Sequence, residues 1–181
     1  MENRFQNILP TSRGMSPEEG KQVIEKGLTH LRVMDSATAP LFGRMTAIEM
    51  ISHLMGSLNL TFYEQAVPLD IPADKIGKAQ AFLASKHMIR PGATQPGFYK
   101  DLSPKSVSIE DWEKRLDELE ALYQKMVSEL ASTGEDWKKD HPKFGRLNKD
   151  QWWQFQGKHF YHHLSQFGIY PRTEIWEGIP E

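Results

Sequence analysis

A chain of 181 residues with 39% hydrophobic and 25% charged residues is long enough to bury a core and reads as one globular domain. Its formal net charge is -2, with Lys and Arg scattered, so no basic stripe offers itself to a phosphate backbone. Zero cysteines exclude disulfides, thiolate metal sites and a cysteine nucleophile.

Met1 to Ser16 holds no apolar run of signal-peptide length. Nothing reaches the ~18 uncharged apolar residues of a membrane span. The expected compartment is the cytoplasm, and neither nucleic acid nor membrane is an expected partner.

Residues 1 to 15, with Pro10 and Gly14, read as an arm. Ser16-Pro17-Glu18-Glu19 then supplies a capping Ser, a Pro at the first helical position and a Glu three residues after the cap. A helix is expected over 17–35, with Val23, Ile24, Leu28, Leu31 and Met34 inward. Thr46-Ala47-Ile48-Glu49 repeats that signature and opens a helix over 46–66, whose stripe is Ile48, Ile51, Met55, Leu58 and Phe62. Only Glu49 and Glu64 are charged in that span, which predicts that protein covers most of its circumference.

Five prolines punctuate residues 68–107. A short helix fits 74–86, and Arg90 to Lys105 reads as an extended crossover, a length of loop that often walls a binding site. Ser108-Ile109-Glu110-Asp111 opens a helix over 108–132. There Trp112, Leu116, Leu119, Tyr123, Met126 and Leu130 step at the spacing of a bundle seam. A loop with His141-Pro142-Lys143-Phe144-Gly145 leads to the cap Asn148-Lys149-Asp150-Gln151, and the last helix spans 148–167, with Gly168 at its left-handed end. No strand alternation of useful length is present. The pattern predicts an all-α four-helix bundle with a long crossover between the second and third long helices.

The last helix carries three histidines in five residues. At ~100° per residue, Trp152, Trp153, Phe160, Leu164 and Phe167 share one face, with Gln154, Lys158 and Ser165 opposite. His159 and His163 fall inside the apolar face, one turn apart, while His162 falls toward the polar flank beside Lys158. Something must satisfy the ring nitrogens of two histidines on an apolar face, either a metal ion or hydrogen bonds to backbone or water.

Two histidines at this spacing chelate one ion, but a stable site needs a third ligand. His53 is the candidate on the second helix, although the wheel sets it off that helix's stripe. Glu49, one turn earlier, either orients its ring or only closes the capping box. Spacing alone leaves both readings open. His30 reads as a core-edge histidine, and His87 and His141 as loop histidines without a role. No Gly-rich phosphate loop, G-x-S-x-G elbow or pair of catalytic carboxylates is present.

The sequence resembles the DinB/YfiT-like superfamily of metal-dependent hydrolases. The likeness rests on Met45-Thr46-Ala47 leading to His53-Leu54, on His141-Pro142-Lys143-Phe144-Gly145, and on His159-Phe160-Tyr161-His162-His163-Leu164-Ser165-Gln166-Phe167-Gly168. It spans roughly residues 17 to 169, within one domain of 1–181. The resemblance implies a bundle whose second and fourth helices hold a divalent ion, zinc or nickel above all, through His53, His159 and His163. His162 matches a non-ligand histidine, a candidate proton shuttle. The implied activity is that of a hydrolase or a thiol S-transferase. The expected partners are a small-molecule substrate, of which a low-molecular-weight thiol is one class, and a second copy of the chain. The rival reading is a non-catalytic bundle that binds a small molecule or a protein, its histidines being structural.

Overall fold

Three helix starts in this chain are written as reciprocal hydrogen bonds. The Ser16 hydroxyl accepts from the Glu19 amide while the Glu19 carboxylate takes the Ser16 amide at 2.8 Å. Thr46 with Glu49 and Asn148 with Gln151 close in the same way. Each box satisfies two of the four orphan amides of a helix start. The computed structural model describes residues 13–92, 102–103 and 108–180. Residues 1–12 of the predicted arm and most of the crossover lie outside the described residues.

Among the described residues the chain is mostly helical. Its five α-helices are α1 (Pro17–Val33), α2 (Ala47–Asn59), α3 (Ile76–Ala84), α4 (Trp112–Ser132) and α5 (Lys149–Gln166). Short 3-10 turns extend α2 over Leu60–Phe62 and precede α3 and α4 at Ala73–Lys75 and Ile109–Asp111. All six seam residues of α4 are buried, as are Val23, Ile24, Leu28 and Leu31 of α1. Every residue of α2 from Ala47 to Leu58 is buried except Glu49, as the scarcity of charge predicts. No helix among the described residues is long and apolar enough to cross a membrane.

The expectation of an all-α chain needs correction. Lys138–His141 (β1) and Gly145–Asn148 (β2) pair antiparallel, with Lys138 opposite Asn148 and His141 opposite Gly145. Four residues a side are too few for alternation to stand out in a sequence. The turn chemistry is the better signal, because Gly145 sits at φ 63° and closes a three-residue connection of the usual hairpin kind. Gln80 of α3 ties this hairpin down, its Nε2 donating to the Phe144 and Arg146 carbonyls at 2.9 and 3.0 Å.

α1 and α5 approach backbone to backbone. A Cβ at Gly20 would stand 2.5 Å from the Trp153 carbonyl oxygen, and one at Gly157 would strike Gly20. The opposite side of α5 is covered as well, so every residue from Phe155 to Gln166 is buried. The cover comes from α3, from the segment after it, and from the C-terminal tail beyond residue 169. Trp176, fully buried, donates its amide to the Lys86 carbonyl at 2.7 Å, and Met88 donates to the Glu174 carbonyl at 3.0 Å. Tyr170, also buried, donates its hydroxyl to the Val23 carbonyl at 2.7 Å.

Lys158 shows what that cover requires. The wheel places it on the polar side, yet it is fully buried. Its Nζ donates to the carbonyls of Phe82, Ser85 and His87 at 2.9, 2.7 and 2.7 Å. The ammonium thus sits at the carbonyl end of α3, where the helix dipole is negative. Burial pushes its pKa down to about 8.

Candidate metal centre

α2 and α5 bring three imidazoles to one point. His53 Nε2 lies 2.8 Å from His159 Nε2, and His163 Nε2 lies 3.0 Å from the same atom. All three rings are buried, and one ligand atom from each falls within 4.8 Å of the others. Zinc bound by imidazoles at 2.0–2.1 Å in a tetrahedron sets the nitrogens about 3.3 Å apart, and the two contacts to His159 Nε2 are slightly tighter than that. The ring pairs meet edge to face, at 4.8, 4.5 and 4.6 Å between centroids.

The proton states suit a cation. Burial pushes the His53 imidazole down to about 4, with a smaller contribution from His162. Burial holds His159 and His163 well below the usual range too, reinforced by their neighbouring imidazoles. At neutral pH the three rings are therefore uncharged, the form that binds metal. His163 Nδ1 lies 2.7 Å from Gln166 Oε1. A carbonyl oxygen only accepts, so Nδ1 carries the hydrogen and Nε2 keeps its lone pair. A divalent cation at the meeting point satisfies all three inward nitrogens at once, and the residues present fit one.

His53 lies on the side of α2 that the wheel set apart, and it is nonetheless 6% exposed. The site sits between α2 and α5, so His53 faces α5 while the helix's main stripe faces other parts of the core. The Glu49 carboxylate accepts from the Thr46 amide and hydroxyl at 2.8 and 2.9 Å, the capping-box role.

His162 departs from its expected solvated flank, being only 9% exposed. The segment after α3 passes over it, and its Nδ1 donates to the Ile89 carbonyl at 3.2 Å. The Phe42 ring packs edge-on at 5.9 Å. Burial lowers its pKa, against the pull of the Ile89 bond. His30 is exposed and meets only the edge of the Tyr170 ring at 6.4 Å. His87 is exposed.

His141, read from the sequence as a loop histidine without a role, is buried at the end of β1. Its Nδ1 accepts from the Lys143 amide at 3.0 Å, which places its hydrogen on Nε2. Its ring packs on Phe155 at 4.3 Å, and Phe155 stacks on His159 at 5.4 Å. Burial pushes its pKa down to about 3. The signal was present in the turn His141-Pro142-Lys143-Phe144-Gly145, where Pro and Gly define a hairpin that fixes the ring.

A cavity of about 820 Å³ opens over the three inward histidines, and His141, His162 and Phe155 share its wall. That volume accommodates a small organic molecule.

The model of a family described as "Protein of unknown function (DUF1569)" matches residues 80–169. The matched span contains His141, His159, His162 and His163 and stops short of His53. Comparison with curated proteins and with solved structures finds no match.

Proposed function

We propose that the chain is a divalent-metal-dependent enzyme of the DinB/YfiT-like kind, a hydrolase or a thiol S-transferase. In this reading α1, α2, α4 and α5 form a four-helix bundle, and α3 belongs to the long connection between α2 and α4. One observation carries the proposal. Three uncharged, buried imidazoles from two helices converge on a point at the floor of an open cavity. A cluster kept only for packing gives no reason for a cavity there.

His53, His159 and His163 hold the ion, zinc or nickel being the best matched to imidazole donors. When bound by three neutral ligands, such an ion supplies Lewis acidity with coordination positions left open, which acidifies water or a thiol. Gln166 holds the His163 hydrogen on Nδ1 and so aims the Nε2 lone pair. Phe155 and Met88, on the cavity wall, exclude water from the floor. His162 has its Nδ1 hydrogen committed to Ile89, which leaves Nε2 to take a proton from a substrate and return it.

Untagged protein purified without chelator is expected to carry close to one equivalent of a transition metal by elemental analysis. After stripping, added zinc or nickel should raise Tm, since a ligand that binds only the folded state stabilises it by RT ln(1 + [L]/Kd). The variants His53→Ala, His159→Ala and His163→Ala should each lose that rise. His162→Ala should keep it from a lower starting Tm. No change in the wild-type Tm with saturating zinc, nickel, manganese or iron(II) at pH 7.5 would end this reading in favour of a non-catalytic binding bundle.

A further inference from the structure

The charges around the cavity do not resemble those of the chain as a whole. With a formal net charge of -2, acids slightly outnumber bases, yet no Asp or Glu stands among the described residues that line it. The charged side chains there are Lys78, Arg90 and Lys143. They arrive from three separate pieces of chain: Lys78 from α3, Arg90 from the segment beyond it, and Lys143 from the turn between β1 and β2. The Gln80 bonds to the Phe144 and Arg146 carbonyls hold the first and third of these pieces together. One group of acids lies elsewhere. On α4, Glu113, Asp117 and Glu120 face outward around Arg32, which reaches Asp117 and Glu120 at 2.7 and 2.6 Å.

The floor adds to the imbalance. All three inward histidines are neutral ligands, so a divalent ion held there keeps its two positive charges with no protein carboxylate among its ligands to offset them. A low-dielectric recess lined by one sign of charge focuses its field and concentrates ions of the other sign. Between rim and floor the wall is apolar, with Phe82, Met88, Phe144 and Phe155.

We infer that the cavity selects a small organic anion, with its apolar body against the aromatic wall and its carboxylate or phosphate group met by Lys78, Arg90 and Lys143. This rests on the cavity being the substrate site of the metal centre proposed above, but the rim can be tested without the metal. Lys78 and Arg90 are exposed and Lys143 is half-buried, so their replacement leaves the core intact.

The experiment measures calorimetric affinities of 3-phenylpropionate against its neutral amide, and of phenyl phosphate against benzyl alcohol. Metal-stripped and zinc-loaded protein are both titrated, at low and at 0.5 M salt. At low salt at least one anion is expected to bind ten-fold or more tightly than its neutral counterpart in both forms, with the preference shrinking in high salt. The triple variant Lys78→Gln, Arg90→Gln, Lys143→Gln should lose most of that preference while its zinc stoichiometry and zinc-induced Tm rise stay unchanged. Equal binding of anion and neutral probe, or a preference untouched by the triple variant, overturns the inference. An anion preference that depends on the three cations in a protein that takes up no metal sustains this inference and removes the metal centre. Zinc uptake without any such preference does the reverse.

Discussion

Gln166 offers the sharpest test of whether the three histidines are arranged for a ligand. Its Oε1 holds the Nδ1 hydrogen of His163 at 2.7 Å inside the core. Replacing it with leucine keeps much of the volume and removes the acceptor. The backbone bond from the Leu41 amide to the Gln166 carbonyl, at 2.6 Å, does not depend on the side chain, so the helix end should stay in place. A neutral hydrogen bond of this kind is worth about 1 kcal/mol net. Its loss also frees the His163 hydrogen to settle on Nε2, the atom proposed to bind metal. Outer partners of ligating histidines typically contribute ten- to a hundred-fold in metal affinity, which is about 1.4–2.8 kcal/mol. Gln166→Leu should therefore weaken zinc binding by roughly that factor, read by competition with a chromophoric chelator at pH 7.5. Gln166→Glu supplies a charged acceptor at the same atom and should hold affinity at or above the parent level. A leucine variant that stays folded by near-UV circular dichroism and binds zinc within three-fold of the parent would show that the His163 tautomer is not what Gln166 is for.

The remaining expectations concern stability. Lys158→Met leaves the carbonyls of Phe82, Ser85 and His87 without their shared donor, and should cost about 2–4 kcal/mol in urea unfolding. A loss below about 1 kcal/mol, the worth of one ordinary hydrogen bond, would mean that water replaces the ammonium. Gly157→Ala gains up to ~1 kcal/mol of helix propensity but drives a methyl into the α1 backbone. A net loss of Tm is expected, and a gain would contradict the close approach. Acid should unfold the metal-stripped protein early. His53 at about 4 and His141 at about 3 stay neutral in the folded state, whereas in the unfolded chain they take up protons near pH 6.5. From 6.5 down to about 4 the unfolded state thus binds more protons. The contribution is complete above pH 6.5 and is lost as pH falls, at up to ~1.4 kcal/mol per histidine per pH unit. Urea midpoints at pH 7.5, 6 and 5 should show that slope, and His141→Gln should flatten it; equal midpoints at pH 7.5 and 5 would count against the burial of these rings.

Helices were legible because their signals are local. A capping residue and its partner lie three positions apart, and the α4 seam repeats every three or four residues, so no knowledge of the rest of the fold is needed to place either. Gly168, at φ 74°, ends α5 by the same local logic. Strands of four residues carry too few alternations to register, and the hairpin was missed. The burial of Lys158 was missed for a different reason. A wheel reads a helix as if solvent covered one side, but the segment after α3 and the tail around Trp176 cover that side of α5. A lone lysine in such a helix is polar by composition, and it is buried because three carbonyls wait for it.

The site divides along the same line. His159 and His163 were placed by spacing, since residues one turn apart on a helix must share a face. Nothing local to α2 determines where His53 points, because its partner lies 106 residues away in sequence. Only the packing of α2 beside α5 decides whether that ring is buried against His159 or left exposed. His141 and Gln166 belong to the same class. Each acts through one hydrogen bond whose direction is set by a turn or a helix end, and each looks ordinary in the sequence. Convergence of side chains from distant elements is therefore the observation on which the proposed metal centre rests. The chelator titration of Gln166→Leu measures the consequence of that convergence at an atom the ion would not touch.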